Sequence, residues 1–396
     1  MSDMFGDFIE DPDEDDFDPY DETDSAPSLE PTNTLRDPRL MTDITGHDNI
    51  ESDLLKAYHA NKMPHALIFS GIKGIGKATM AYRLARFLLK EGSQDTGASL
   101  FGDEPLPAEN FQISFEDNIY AKVASGGHPD LMTVERLFDD KKNKLKNGLE
   151  VDQIRKVAPF MRMTASNGKW RVVIIDDADT MNRSSQNGIL KILEEPPANS
   201  IIILVTHNLG ALIPTIRSRC RLINFHHLDD KTVQDLLTRG VGDEMPASDR
   251  EMLANLSEGS IGRAMEYALE ENLTTIRTLA ETLNNWPNKG QNFNRLNIFA
   301  LAELVSQNGK EHAFHTMRQN MSWVIEQMTK SAVTGQLNIP SPYDTPKLAS
   351  IVQNNSLASW VEICDKLGEH FISADRGNLD KRQTTLDAFR IIEQSV

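Results

Sequence analysis

Three short runs of apolar residues predict buried strands in the first half of the chain. They span residues 66–69 (ALIF), 172–175 (VVII) and 201–205 (IIILV). Every position in each run is apolar, so both faces of these strands should be covered, which is typical of a parallel sheet between helices. A shorter run, Leu131 to Glu135, predicts a further strand.

Segments with helical periodicity lie between these strands. Apolar positions recur at helical spacing in residues 48–62 and 81–88. A third helix is predicted over residues 186–195, where Pro196 and Pro197 end it. Strands that alternate with helices in this way predict an α/β domain with a doubly wound parallel sheet.

Beyond Leu228 the strand signals fade and helical patterns dominate. One apolar helix face is predicted, which we interpret as packed core; its members are Phe314, Met317, Met321, Val324, Ile325 and Met328. A closing helix is indicated by Leu386, Phe389 and Ile392. Because 396 residues exceed the length of one typical domain, we expect three domains.

A glycine-rich loop connects the first predicted strand to the next helix. Its glycines Gly71, Gly74 and Gly76 would let backbone N–H groups converge on phosphates, and Lys77 would reach the terminal phosphates. An ordinary glycine-rich turn is the alternative, which the flanking strand and helix disfavour. The loop therefore predicts a nucleotide-binding P-loop.

The residues that would hold magnesium are incomplete. The position after the lysine is Ala78, which has no hydroxyl to offer the metal, and Thr79 should point about 100° further round the helix. Asp176, after the second apolar run, is placed for the metal, whereas Asp177 is shorter than the usual water-positioning Glu. These features predict slow or absent ATP hydrolysis and leave the binding of ATP and magnesium open.

Composition narrows the classes of function. The formal charge is −18, yet Asp3 to Glu30 contain thirteen carboxylates and no basic residue precedes Arg36, so residues 1–35 are expected to form a disordered acidic tail. The remainder is not basic enough to bind DNA strongly by charge alone. The basic run Lys141–Lys146 predicts a solvated hairpin tip, with phosphate contact as the weaker alternative.

Cellular location and metal content are also constrained. No apolar run is long enough to span a bilayer and no signal peptide is evident, so a cytoplasmic protein without membrane contact is expected. Cys220 and Cys364 are the only cysteines, which excludes a four-cysteine zinc site.

Three arginines follow the third predicted strand, in the sequence TIRSRCR that spans residues 215–221. An arginine can stabilise charge on a transferring phosphoryl group, and a neighbouring molecule can supply it. Residues of the same kind also occur as surface arginines beside a buried cysteine. The chemistry of these residues supports the two interpretations equally.

Several motifs, taken together and in this order, resemble the delta-prime group of the AAA+ clamp-loader family of bacterial DNA polymerase III. They are Gly46-His47, His65-Ala66-Leu67-Ile68-Phe69 before the glycine loop, His128-Pro129-Asp130, Leu193-Glu194-Glu195-Pro196-Pro197 and Ser218-Arg219-Cys220. They cover roughly residues 40–270, and their combination is more specific than a P-loop alone.

The resemblance implies a domain organisation and roles for single residues. It implies an AAA+ P-loop domain over residues 36–225, a small helical lid over 226–272 and an all-α collar over 273–396. Arg219 would be an arginine finger that acts in trans, Thr206 a first sensor of nucleotide and Arg263 a second sensor. Two features depart from the family pattern, namely the acidic tail and the lack of cysteines where some members carry zinc.

The leading hypothesis is a clamp-loader subunit of the DNA polymerase III holoenzyme, a stator with no polymerase chemistry of its own. Its implied partners are gamma/tau-type and delta-type subunits in a hetero-oligomeric ring, together with the sliding clamp and primed DNA. Two alternatives stay open: an ATP-hydrolysing motor subunit of the gamma/tau type, and an interaction scaffold that acts through the acidic tail.

Overall fold

The structure, a computed structural model, describes residues 37–93, 108–139, 144–166, 170–242, 245–287, 291–307 and 311–395. The predicted acidic tail and the tip of the basic run, residues 141–143, lie outside these ranges.

A parallel sheet forms the centre of the first half of the chain. The strands are Ala66–Ser70 (β1), Leu131–Val134 (β2), Phe138–Asp139 (β3), Lys144–Leu145 (β4), Arg171–Ile175 (β5), Ser200–Thr206 (β6) and Arg221–Asn224 (β7). Five of them pair in parallel in the order β2-β5-β6-β1-β7, while β3 and β4 form a separate antiparallel hairpin. The three strongest predicted strands are the three central ones, and their buried side chains explain why all their positions are apolar.

Helices cover both faces of this sheet, as the alternating pattern predicted. They are Asp48–His59 (α1), Lys77–Ser93 (α2), Asn118–Ala124 (α3), Val151–Arg155 (α4), Val157–Arg162 (α5), Arg183–Glu194 (α6) and Pro214–Arg217 (α7). Leu67 and Phe69 of β1 pack into the core shared with α1 and α2, whereas Ile68 faces the core shared with α4 to α7. The α/β prediction is therefore confirmed.

The second half of the described chain is helical. Its helices are Asp230–Val241 (α8), Ala247–Leu256 (α9), Ile261–Tyr267 (α10), Glu270–Asn284 (α11), Arg295–Ser306 (α12), Glu311–Thr334 (α13), Thr345–Gln353 (α14), Leu357–Gly377 (α15) and Lys381–Ser395 (α16). The predicted apolar face lies on α13, where Met317, Met321 and Met328 are fully buried. No helix within the described ranges is long and apolar enough to cross a membrane.

Several elements differ from the predictions. α1 ends at His59 rather than at residue 62, and α6 begins at Arg183 because the side chain of Asn182 caps it by accepting the N–H of Ser185. The edge strand β7 was not predicted, since its exposed side chains break the apolar pattern.

Two buried ion pairs fix the elements that carry the site. Arg83 of α2 donates to both carboxylate oxygens of Glu51 at 2.9 Å, which ties α2 to α1. Asp130 lies 3.3 Å from Arg171, so the pair joins the start of β2 to the start of β5. Both pairs are almost inaccessible to water, which gives the carboxylate of the His128-Pro129-Asp130 motif a structural role.

Candidate functional site

The predicted nucleotide residues gather at the carboxyl edge of the sheet. The glycine-rich loop follows β1, Asp176 follows β5, and Thr206 is the last residue of β6. Because the strands are parallel, these three ends meet at one edge. The fold thus brings together the P-loop, the predicted metal carboxylate Asp176 and the predicted first sensor Thr206.

Lys77, the first residue of α2, is turned back onto its own loop. Its Nζ donates to the carbonyl oxygens of Gly71 at 2.7 Å and of Ile72 at 2.6 Å. The side chain is buried, and burial lowers the pKa of Lys77 to about 8, although nearby carboxylates oppose this shift. The lysine would have to leave these carbonyls to reach a phosphate.

Other parts of the protein hold the rest of the loop. The hydroxyl of Ser260 donates to the carbonyl of Lys73 at 2.6 Å, and the backbone N–H of Gly262 donates to the carbonyl of Gly74 at 2.8 Å.

On the other side of the loop, His47 Nε2 lies 2.8 Å from the carbonyl of Ile75. All five carbonyls from Gly71 to Ile75 therefore have a hydrogen-bond partner. The loop is held in one conformation by its own lysine, by α10 and by the segment before α1.

The start of α10 touches the loop backbone directly. A Cβ atom added to Gly262 would lie 2.6 Å from the Cα atom of Gly74, and one added to Gly74 would lie 2.9 Å from the Cα atom of Gly262. Gly74 also has φ of +79°, which only glycine adopts readily. These two glycines permit the loop and the helix to approach more closely than side chains would allow.

Asp177 is engaged on both of its carboxylate oxygens. Arg136 Nε donates to Oδ2 at 2.6 Å, and His207 Nε2 donates to Oδ1 at 2.8 Å. Burial alone would raise the pKa of Asp177, but the hydrogen bond from His207 and the charge of Arg136 outweigh it and lower the pKa to about 2. A carboxylate held in this way is poorly placed to orient a water molecule.

Asp176 is the more buried member of the carboxylate pair. Its Oδ1 accepts the backbone N–H of Asp177 at 2.9 Å, and burial together with the neighbouring charge of Asp177 raises its pKa. Because Ala78 stands in the hydroxyl position, Asp176 is the one residue here that was predicted to hold the metal. This donor set does not fit a magnesium ion held between a P-loop hydroxyl and a carboxylate.

Thr206 donates its hydroxyl to Asp179 at 3.0 Å, and the backbone N–H of His207 donates to the same oxygen at 2.9 Å. Asp179, His207 and Arg136 were missed by the sequence reasoning. Each lies one to four residues beyond the end of β2, β5 or β6, so their position after a predicted strand was the available signal.

Thr79 and Arg263, which were also predicted to serve the nucleotide site, lie on helices rather than at the ends of strands. Thr79 is the third residue of α2 and makes no side-chain hydrogen bond to the described residues. Arg263 of α10 directs its guanidinium to Glu258 at 3.0 Å, while its backbone N–H is capped by Ser260. The described contacts of Arg263 thus lie on the loop before α10.

Arg219 lies at the amino ends of the parallel strands, whereas Lys77 lies beyond their carboxyl ends. Arg219 precedes β7, whose residue Arg221 is in register with Leu67 near the start of β1, and Lys77 follows the end of β1. At about 3.3 Å per residue, the four steps from Leu67 to Gly71 at the start of the loop span roughly 13 Å. Arg219 cannot serve the P-loop of its own chain.

Arg219 joins the motif of residues 218–220 (SRC) to the motif of residues 193–197 (LEEPP). Its Nη2 atom lies 2.8 Å from Glu194 at the end of α6, and its Nη1 donates to the carbonyl of Thr215 at 3.0 Å. About a third of the arginine side chain is exposed. Cys220 is buried, and burial raises the pKa of its thiol to about 12, which marks it as a packing residue.

Within the described ranges, no group of three or more His, Cys, Asp or Glu side chains could hold a metal ion.

Part of the chain resembles a family of known proteins. Residues 46–229 match the family described as DNA polymerase III, delta subunit. DNA polymerase III subunit delta' of Escherichia coli is 32% identical over 232 residues, which cover 58% of this chain and 62% of that protein. The same subunit of Pseudomonas aeruginosa is 31% identical and covers 52% of this chain and 55% of its own length.

DNA polymerase III subunit gamma of Buchnera aphidicola is also similar, at 26% identity over 65% of this chain and 66% of that protein. The chain spans less than two thirds of the length of the delta' relatives. These matches confirm the resemblance to the delta-prime group of the clamp-loader family that the motifs indicated.

Proposed function

We propose that this chain, whose residues 46–229 match the family described as DNA polymerase III, delta subunit, is a clamp-loader subunit that does not hydrolyse ATP itself. It supplies Arg219 to an ATP site on a neighbouring subunit. The neighbours are subunits of the gamma/tau and delta types, and the assembled ring acts on the sliding clamp and primed DNA.

The observation that carries this proposal is the position of Arg219. The guanidinium is partly exposed and lies at the sheet edge opposite the chain's own P-loop, so its phosphate must come from another molecule. Its planar fork can stabilise the charge that spreads over a transferring phosphoryl group. The pair with Glu194 is partly exposed on both sides and is worth at most about 1 kcal/mol, so it is easily exchanged for a phosphate.

Three contacts at the chain's own loop support the absence of hydrolysis in cis. Lys77 is bonded to loop carbonyls, Asp177 is bonded to Arg136 and His207, and Ala78 offers no hydroxyl. Hydrolysis would require the first two groups to be released and a metal ligand to be found elsewhere.

The test is the ATPase of the reconstituted complex with clamp and primed DNA. Arg219→Ala should leave assembly intact and remove the contribution of one ATP site, because loss of an arginine finger slows its site by about 10³-fold or more. Arg217→Ala is the matched control, since Arg217 is exposed and two residues away. Full activity of an assembled Arg219→Ala complex would overturn the proposal.

The alternative of an ATP-hydrolysing motor subunit is tested by measuring the ATPase activity of the isolated chain. Intact Lys77 and Asp176 favour it, and magnesium-dependent turnover that Lys77→Met abolishes would establish it.

The scaffold alternative is tested by deleting residues 1–35. Loss of clamp loading with unchanged ATPase stimulation would favour that alternative.

A further inference from the structure

A short segment before α10 joins the P-loop to the C-terminal helices. Together with the first turn of α10 it spans residues 257–263, which contain Ser260 and Gly262, bound to the carbonyls of the loop, and Glu258, bound to Trp323. Only one residue, Gly259, separates Glu258 from Ser260, so the two sets of contacts cannot move independently.

The carboxylate of Glu258 bridges two different helices. Its Oε2 accepts from Arg263 of α10 at 3.0 Å, and its Oε1 accepts from the indole Nε1 of Trp323 in α13 at 2.8 Å. A hydrogen bond to a charged acceptor is stronger than one between neutral groups. Glu258 is thus a direct polar link between the start of α10 and the middle of α13.

The backbone of the segment is fixed as well. Glu258 has φ of +51°, a left-handed conformation that few non-glycine residues adopt, and its carbonyl oxygen lies 2.6 Å from His227 Nδ1. The carbonyl of Gly259 accepts the N–H of Leu228 at 3.1 Å. These bonds to the segment before α8 keep Glu258 aimed at Trp323 while Ser260 holds the loop.

α13 is well placed to pass a displacement on. It packs against α11, α12, α14 and α15, and its apolar face is part of the main core. A shift at Trp323 therefore reaches most of the C-terminal helices.

We propose that Glu258 couples the P-loop to α13. A movement of the loop that breaks its bonds to Ser260 and Gly262 displaces Glu258, and through Trp323 this displacement alters the packing of α13. The coupling requires neither hydrolysis nor Arg219, so it goes beyond the proposed function and stands or falls separately from it.

The test uses hydrogen exchange on the full chain without nucleotide. Gly262→Ala forces the loop and α10 apart, because its Cβ would lie 2.6 Å from Gly74 Cα. Exchange is read in residues 319–328, around Trp323, and in α6, on the far face of the sheet. The same substitution is then made in a Trp323→Phe chain, which keeps an aromatic ring and removes the indole N–H.

With Trp323 present, Gly262→Ala should raise exchange in residues 319–328 at least about fivefold, the lower end of typical coupling between sites, with α6 unchanged. With Phe at position 323 the increase should largely disappear. An equal increase in both chains, or none in either, would overturn the proposal. Ser260→Ala, which removes the bond to Lys73 and the cap of α10 without adding atoms, gives the same comparison if Gly262→Ala does not fold.

Discussion

The contact between Gly262 and Gly74 makes a sharp prediction about stability. An added Cβ at Gly262 would lie 2.6 Å from Gly74 Cα, whereas ordinary contacts are 3.4 Å or longer. The two backbones must therefore separate by about 1 Å, which lengthens the 2.8 Å bond between Gly262 N and Gly74 O beyond hydrogen-bonding distance.

The expected change in the free energy of unfolding combines two destabilising effects and one stabilising effect. A lost hydrogen bond costs about 1 kcal/mol and overpacking about 1–3 kcal/mol, while alanine in place of glycine in a helix returns up to about 1 kcal/mol. Gly262→Ala should therefore lower the free energy of unfolding by about 1–3 kcal/mol. Gly368→Ala is the matched control, because Gly368 lies within α15 with open space around its added Cβ.

Urea denaturation followed by circular dichroism measures both variants. Gly368→Ala should be as stable as the parent chain or more stable, by up to about 1 kcal/mol, since only helix propensity changes. The reasoning would be refuted if Gly262→Ala shifted the midpoint in the same direction as Gly368→Ala. Such a result would mean that α10 does not lie against the loop.

Three further predictions concern single residues at and near the site. Asp130→Ala should cost about 3–5 kcal/mol in urea denaturation because it leaves Arg171 buried and unpaired, whereas Asp53→Ala, at an exposed pair, should change stability by less than about 1 kcal/mol. The pKa of Asp177 is lowered from 3.8 to about 2, so its contribution of about 1–2 kcal/mol is complete above pH 3.8 and is lost as pH falls towards 2. Asp177→Asn should accordingly flatten the acid limb of a stability-against-pH curve in that interval, and an unchanged limb would contradict the assignment. Ala78→Ser should not confer magnesium-dependent ATP turnover on the isolated chain, because the remaining site groups stay engaged; measurable phosphate release would count against this view.

The sequence was sufficient for the elements whose signals are local. The central strands were predicted because both faces are buried, and the P-loop because strand, glycines and helix are contiguous. Strand β7 was missed because Arg221 and Asn224 are exposed at the sheet edge. No local signal distinguishes such a strand from a loop.

Contacts between distant residues account for the rest of the site. The sequence marked Asp177 as too short for the usual water-positioning residue, but it gave no sign of its partners Arg136 and His207, which follow the ends of two other strands. Likewise, Gly74 meets Gly262 across almost two hundred residues of sequence. Such pairs depend on the register of the fold and are not visible in either segment alone.

The central claim is that this chain contributes to hydrolysis in trans and not in cis. It is tested most directly by the ATPase of the reconstituted complex carrying either Lys77→Met or Arg219→Ala in this subunit, with assembly checked by gel filtration. The account predicts that Lys77→Met leaves the clamp-stimulated rate unchanged and that Arg219→Ala removes one site's share of it. The reverse pattern, a loss with Lys77→Met and none with Arg219→Ala, would contradict the account.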